Sequence, residues 1–322
     1  MPGKQVVIHA AFLLLLPLVV AAFGISFWGA LLLVAVALAW RWAIVLLSIA
    51  RPSSGPELVL ETISASHFVE KVRWCMDRLG LDYEEEPWGG TLGAFYKGRT
   101  VPRLVFRTGL VRSHIGNSPE ILRYLWGAHS GTHGERARFL EPTPERLELE
   151  KRLDRYGRNL QVWVYHHVLG DRELCKHLWG MNNPATPWWQ RRLIGFLYPV
   201  QAFLISKSFR TNTEHYQQSC EHIEALLAEM DERLADGRRS ILGDDEINFT
   251  DFAFAAMSGL WLMPDEYGAG AASGVRVERE RLPQAMRNDT GRWADGYPHA
   301  IAFVRRLYTE ERQTGAAGGA EE

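Results

Sequence analysis

Between Val6 and Ala50, 38 of 45 residues are Ala, Val, Ile, Leu, Met, Phe, Trp, Tyr or Cys. A run that apolar constrains the chain more than any other feature. A membrane-spanning helix needs about 20 apolar residues, so the run is too long for one straight span and suits two. Gly24, Ser26 and Gly29 interrupt it, with Trp28 among them. The expected spans are therefore about 6–23 and 30–49, joined by a tight turn. Lys4 precedes the first, Arg51 follows the second, and the turn carries no charge. The positive-inside rule then places both ends, and everything after Arg51, on the cytoplasmic side. Arg41 falls inside the second span, either snorkelling to the headgroups or facing a partner helix or a second copy. A cleaved signal peptide would account for the first span and leave the second unexplained. Pro52-Ser53-Ser54-Gly55-Pro56 reads as a linker.

The rest has an ordinary globular composition. With 36 basic and 38 acidic residues interspersed, no global field attracts nucleic acid. Cys75, Cys175 and Cys220 form no CxxC pair, which excludes a disulfide framework and fits a reducing compartment.

Residues 57–63 read as a strand, 68–79 as an amphipathic helix closed by Gly80, 81–87 as an exposed edge strand and 101–106 as a third strand opened by a proline. Ser118-Pro119 opens a further helix as N-cap and first residue. This is the thioredoxin-like order. Helical periodicity then runs over 144–169, 188–206, 214–234, 249–263 and 298–309, without period-two strands. Asn248 and Asp251 form a variant capping box. Residues 269–296 read as a long loop, and 315–322 as a disordered tail.

Four segments, in order and at similar spacing, resemble the glutathione S-transferase family. They are Ser66-His67-Phe68-Val69-Glu70-Lys71-Val72-Arg73, Leu79-Gly80-Leu81-Asp82-Tyr83, Val101-Pro102, and Ser118-Pro119-Glu120-Ile121-Leu122-Arg123-Tyr124-Leu125. The Asn248–Asp251 box and Tyr297-Pro298-His299-Ala300-Ile301 resemble signatures of that family's helical domain. The expected fold class is thus α/β plus all-α: a transmembrane helical hairpin over 1–52, a thioredoxin-like glutathione-binding domain over 57–130, a glutathione S-transferase-like α-helical domain over 140–312, and a tail from 313.

The resemblance implies a membrane-anchored enzyme that transfers the glutathione thiolate to a hydrophobic electrophile, with glutathione as co-substrate and no metal. Its expected partners are glutathione, a hydrophobic small molecule and membrane lipid, with a homodimer open and no nucleic acid. The thiol of a free cysteine has a pKa near 8.5; a hydroxyl and the positive end of a helix both stabilise its thiolate. The resemblance assigns that hydroxyl to Ser66, with Ser64 as the fallback. It makes Pro102 a cis-proline, with the Val101 backbone pairing with the cysteinyl part of glutathione. It has Ser118 hold the γ-glutamyl carboxylate at a helix start. Asn117 stands where the family usually carries an acid, so it offers the substrate amine no negative charge, and the stretch Gly109–Gly116 is longer than usual. These departures favour the alternative, a non-catalytic membrane-tethered binding or scaffold protein on the same fold.

His67 reads as an exposed loop histidine and Cys75 as a packed thiol. His166, His167, Cys175 and His177 match no zinc spacing. Trp88, Trp188 and Trp189 suit an apolar cleft, a core or a membrane surface.

Overall fold

The computed structural model describes residues 24, 26–50, 57–87, 101–108, 111–183, 186, 188–268 and 277–312. They belong to two units, one drawn from Met1–Glu57 and Phe106–Ser113, the other from Leu58–Val105 and His114–Glu322.

The first expected span, 6–23, lies outside the described residues. The second forms helix α1 (Phe27–Ala50), started by Ser26, whose hydroxyl accepts from the Gly29 N–H at 3.1 Å. The side chains of Arg41 and of 43–50 lie outside the described residues. Among the described residues, no helix is long and apolar enough to cross a membrane, so the expected transmembrane hairpin has no counterpart there.

Along the chain, β1 (Glu57–Thr62), α2 (His67–Leu79), β2 (Glu84–Pro87), β3 (Arg103–Thr108), β4 (Val111–Gly116) and α3 (Ser118–His133) follow in the expected thioredoxin-like order. The sheet order is β2-β1-β3-β4. β1 and β2 are parallel, with Val59 opposite Glu84 and Thr62 opposite Pro87. Parallel neighbours need a crossover, and α2 supplies it. Gly80 ends α2 at φ 70°, a left-handed conformation that glycine adopts without a Cβ penalty. Residues 111–116, within the stretch 109–116 that is longer than the family's usual, form strand β4.

The helical part begins with a 3-10 turn (Gly134–Leu140) and α4 (Pro144–Val168), then α5 (Arg172–Leu178), α6 (Trp188–Phe209), α7 (Thr213–Leu234), α8 (Phe249–Leu262), α9 (Gln284–Gly296) and α10 (Pro298–Glu311). α8 is the central helix. Its small and aromatic residues from Phe249 to Trp261 are all buried, and it packs against α2, α4 and α10. The Asn248 side chain accepts from the Thr250 N–H at 2.9 Å. Asp251 accepts from the Asn248 N–H at 2.9 Å and the Ile241 N–H at 2.8 Å. The capping box is therefore formed, and buried.

α9 corrects the expected loop over 269–296. Its buried positions, Met286, Asp289, Thr290 and Trp293, have helical spacing, but two of the four are polar and hide the apolar period. The expected tail lies outside the described residues.

Buried ion pairs tie α2 to its surroundings. Lys71 Nζ lies 2.7 Å from Glu150 on α4, and Arg73 Nη2 lies 2.6 Å from Glu85 on β2. Glu70 meets Arg73 at 2.5 Å and Arg312, beyond α10, at 3.0 Å. The two guanidinium groups hold the Glu70 carboxyl below its ordinary range against the cost of burial.

Candidate functional site

The loop after β1 is pinned at both ends. The Ser66 N–H donates to the Ile63 carbonyl at 2.8 Å, and the Tyr267 hydroxyl donates to the Ala65 carbonyl at 3.0 Å. Ser66 is the N-cap residue of α2 in extended backbone, and its side chain makes no capping hydrogen bond. The hydroxyl is thus not spent on capping the helix, whose first N–H groups lack intrahelical partners. Ser66 lines a cavity of about 310 Å³. Ser64 does not line it; it is buried, with its Oγ packed against the Gly180 turn, where an added Cβ would lie 3.2 Å away. Of the two serines, Ser66 is the one that borders the cavity.

His67 departs from the expected exposed histidine. It is buried, and its Nε2–H donates to the Gly157 carbonyl of α4 at 3.0 Å. Burial lowers its pKa to about 4, with the Gly157 hydrogen bond opposing, so the ring is neutral at pH 7.

The Val101–Pro102 bond is cis. Val101 borders the cavity, and the Pro102 carbonyl accepts from the Asn117 N–H at 3.2 Å. That bond joins the start of the β3 segment to the start of α3. Asn117 is exposed, with φ 74° and ψ 129°, a region that non-glycine residues rarely occupy and that concentrates at functional sites. Ser118, the first residue of α3, is 1% exposed, and its Oγ has no hydrogen-bond partner among the described residues. A buried hydroxyl without a partner costs stability, and at a helix N-terminus it suits an anionic group.

The cavity wall is mostly apolar. Trp163 of α4, Trp179 and Trp261 of α8 line it, whereas Ser66, His67, Gln161 and Ser208 are its polar members. The tryptophans singled out from sequence are elsewhere: Trp188 and Trp189 are exposed on α6, and Trp88 lies outside the described residues. Trp163 reads as one more core position on the α4 stripe, and only the packing of α4 against its neighbours opens a cavity beside it. Gln161 and Ser208 carried no signal.

The thiols are unreactive in kind. Burial pushes both Cys75 and Cys175 up to about 12, far from thiolate at neutral pH. His166 stacks on Tyr216, and its Nδ1 lies 3.1 Å from the Thr211 carbonyl. His167 faces Asp289 at 3.6 Å. Among the described residues, no group of three His, Cys, Asp or Glu is placed to hold a metal.

No protein-family model matches the chain, and no curated protein matches it. Solved structures do. A glutathione S-transferase from Methylobacterium radiotolerans, in complex with glutathione sulfonate, is 16% identical, over 83% of this chain and 97% of that one, at TM-score 0.49. A glutathione S-transferase from Methylobacillus flagellatus with GSH bound is 14% identical, over 80% and 98%, also at 0.49. FzlA from C. crescentus is 15% identical, over 80% and 89%, at 0.44. These are structures to which the chain is similar at low identity.

Proposed function

We propose that the chain binds glutathione and transfers its thiolate to a hydrophobic electrophile. The observation that carries this reading is Ser66: a hydroxyl that makes no capping bond, at the N-terminus of α2, in the wall of an apolar cavity. The Ser66 hydroxyl and the α2 N–H groups stabilise the thiolate, favouring loss of the thiol proton to water. The Val101 backbone pairs with the cysteinyl unit as an added strand. Ser118 receives the γ-glutamyl carboxylate through its hydroxyl and backbone N–H. The electrophile lies among Trp163, Trp179 and Trp261. The sulfur attacks it, a C–S bond forms, and the leaving group departs with its electron pair. His67 is neutral and donates to Gly157, so it orients the loop rather than accepting the thiol proton.

Asn117 supports a second reading, in which the fold binds without catalysing, because no negative charge there meets the glutathione amine. The apolar run over 6–50 supports membrane attachment with the rest of the chain on the cytoplasmic side.

The test is glutathione binding by calorimetry and conjugation of an aryl halide by the full-length protein, with Ser66→Ala alongside. Catalysis predicts millimolar or tighter binding and a loss of about 100-fold in conjugation rate for Ser66→Ala, the scale of one oxyanion-type donor. Absence of binding, or binding without conjugation, overturns the transferase reading and selects the second.

A further inference from the structure

Helix α6 has a buried face and, away from it, an exposed apolar one. Gln190, Ile194, Tyr198, Gln201 and Ile205 form the buried one. Trp189, Leu193, Phe196, Val200 and Phe203 form an exposed one on roughly the opposite side at 3.6 residues per turn. Phe196 is 82% exposed, Phe203 60% and Val200 56%. A neighbouring helix shows the ordinary pattern: α7 exposes Glu214, Gln217, Gln218, Glu221 and His222. An exposed contiguous apolar face of this kind marks an interaction site for a membrane or another apolar surface.

The charges on α6 point to the occupant. Between Trp188 and Phe209 there is no Asp or Glu, while Arg191, Arg192 and Lys207 are exposed, and Arg210 follows. The Arg192 guanidinium lies 5.5 Å from the Trp188 ring centroid, and Lys207 Nζ 5.7 Å from that of Phe203. Cations carried on aromatic bodies at the edge of an apolar stripe suit the headgroup level of a membrane.

A second copy of this face would set cation against cation with no carboxylate to balance them. The apolar N-terminal run is no better matched, since 1–50 contains Lys4 and Arg41 and no acid. We propose that the outer face of α6 docks on an anionic phospholipid bilayer.

This goes beyond the membrane attachment read from the N-terminal run, by adding a second contact with lipid. α6 also contributes Ile205, Ser208 and Phe209 to the cavity wall. Resting on the proposed transferase reading, the docked helix therefore places the cavity next to the phase in which lipophilic electrophiles concentrate.

The test uses the full-length chain in vesicles of phosphatidylcholine with or without phosphatidylglycerol. A nitroxide is placed by Phe196→Cys or, separately, Val200→Cys, in a Cys220→Ala background that leaves only buried thiols. Gln218→Cys is the reference site. Collision with oxygen and with a water-soluble nickel chelate is read at each. Docking predicts that 196 and 200 become oxygen-exposed and nickel-shielded in the anionic vesicles, while 218 stays open to nickel. Changing Arg191, Arg192 and Lys207 together to Gln should reduce the docked population on the order of 100-fold, at about 1 kcal/mol per cation. Nickel access at 196 and 200 equal to that at 218 overturns the proposal. Shielding from both probes also overturns it, since protein then covers the face. Carbonate extraction reports the N-terminal run separately. Glutathione binding in the same vesicles reports the cavity, and its loss with the labels in lipid overturns the transferase reading alone.

Discussion

At the scale of single residues, the site depends on small groups with little room around them. Gly157 lets α4 approach α2: a Cβ there would lie 2.6 Å from Met257 Sδ, 2.9 Å from Phe68 Cζ and 3.1 Å from His67 Nε2. Gly157→Ala should therefore destabilise the protein by about 2 kcal/mol through overpacking, seen as a lower urea midpoint. Ser118 makes the opposite prediction. Its buried Oγ lacks a partner among the described residues, so Ser118→Ala should leave the unfolding midpoint unchanged or slightly raised. The same change should weaken glutathione binding by about 2 kcal/mol, or roughly 30-fold, the range for a hydrogen bond to a charged group, read by calorimetry. The place of Ser66 was legible because it depends on local order, a loop between a strand and a helix. The burial of His67 was not, because its partner Gly157 is 90 residues away.

At the scale of elements, helices with a clean apolar period were legible, and α9, half of whose buried positions are polar, was not. α4, α7, α8 and α10 lie within a few residues of expectation. α9 is hidden from sequence periodicity because Asp289 is a buried position there, where it accepts from Trp163 Nε1 and the Tyr216 hydroxyl, each at 2.9 Å. No periodicity of one segment contains those partners. The capping box of α8 was legible, being four consecutive residues. Its strength comes from Ile241, an acceptor-seeking N–H outside the helix. Asp251→Ala strips the acceptor from two buried N–H groups and should cost about 3 kcal/mol, measured by chemical denaturation. Asp251→Asn keeps one acceptor and should cost less.

At the scale of the whole molecule, burial of titratable groups makes stability depend on pH. His67 has a folded pKa of about 4 against 6.5 unfolded. Above pH 6.5 neither state is protonated there. As pH falls from 6.5 toward 4, the unfolded state takes up a proton that the folded state refuses, so stability is lost, by up to about 3 kcal/mol. Burial raises Asp251 to about 6 from 3.8, so it has the opposite sign: between those values the folded state holds the proton, and stability falls as pH rises. Subtracting the pH profile of His67→Gln from that of the parent isolates the histidine. The difference should be flat above pH 6.5 and steepest between pH 6 and 4; a difference that does not change across that window would place the ring in water. By itself, the sequence determined the apolar N-terminal run, most of the strands and helices, the capping box and the place of Ser66, because each depends on residues near one another in the chain. Tertiary structure alone decided which serine borders the cavity, that three other tryptophans line it, that His67 is neutral, and that α6 exposes an apolar face. Each of these depends on which surfaces remain after distant segments pack, and a local pattern cannot hold that information.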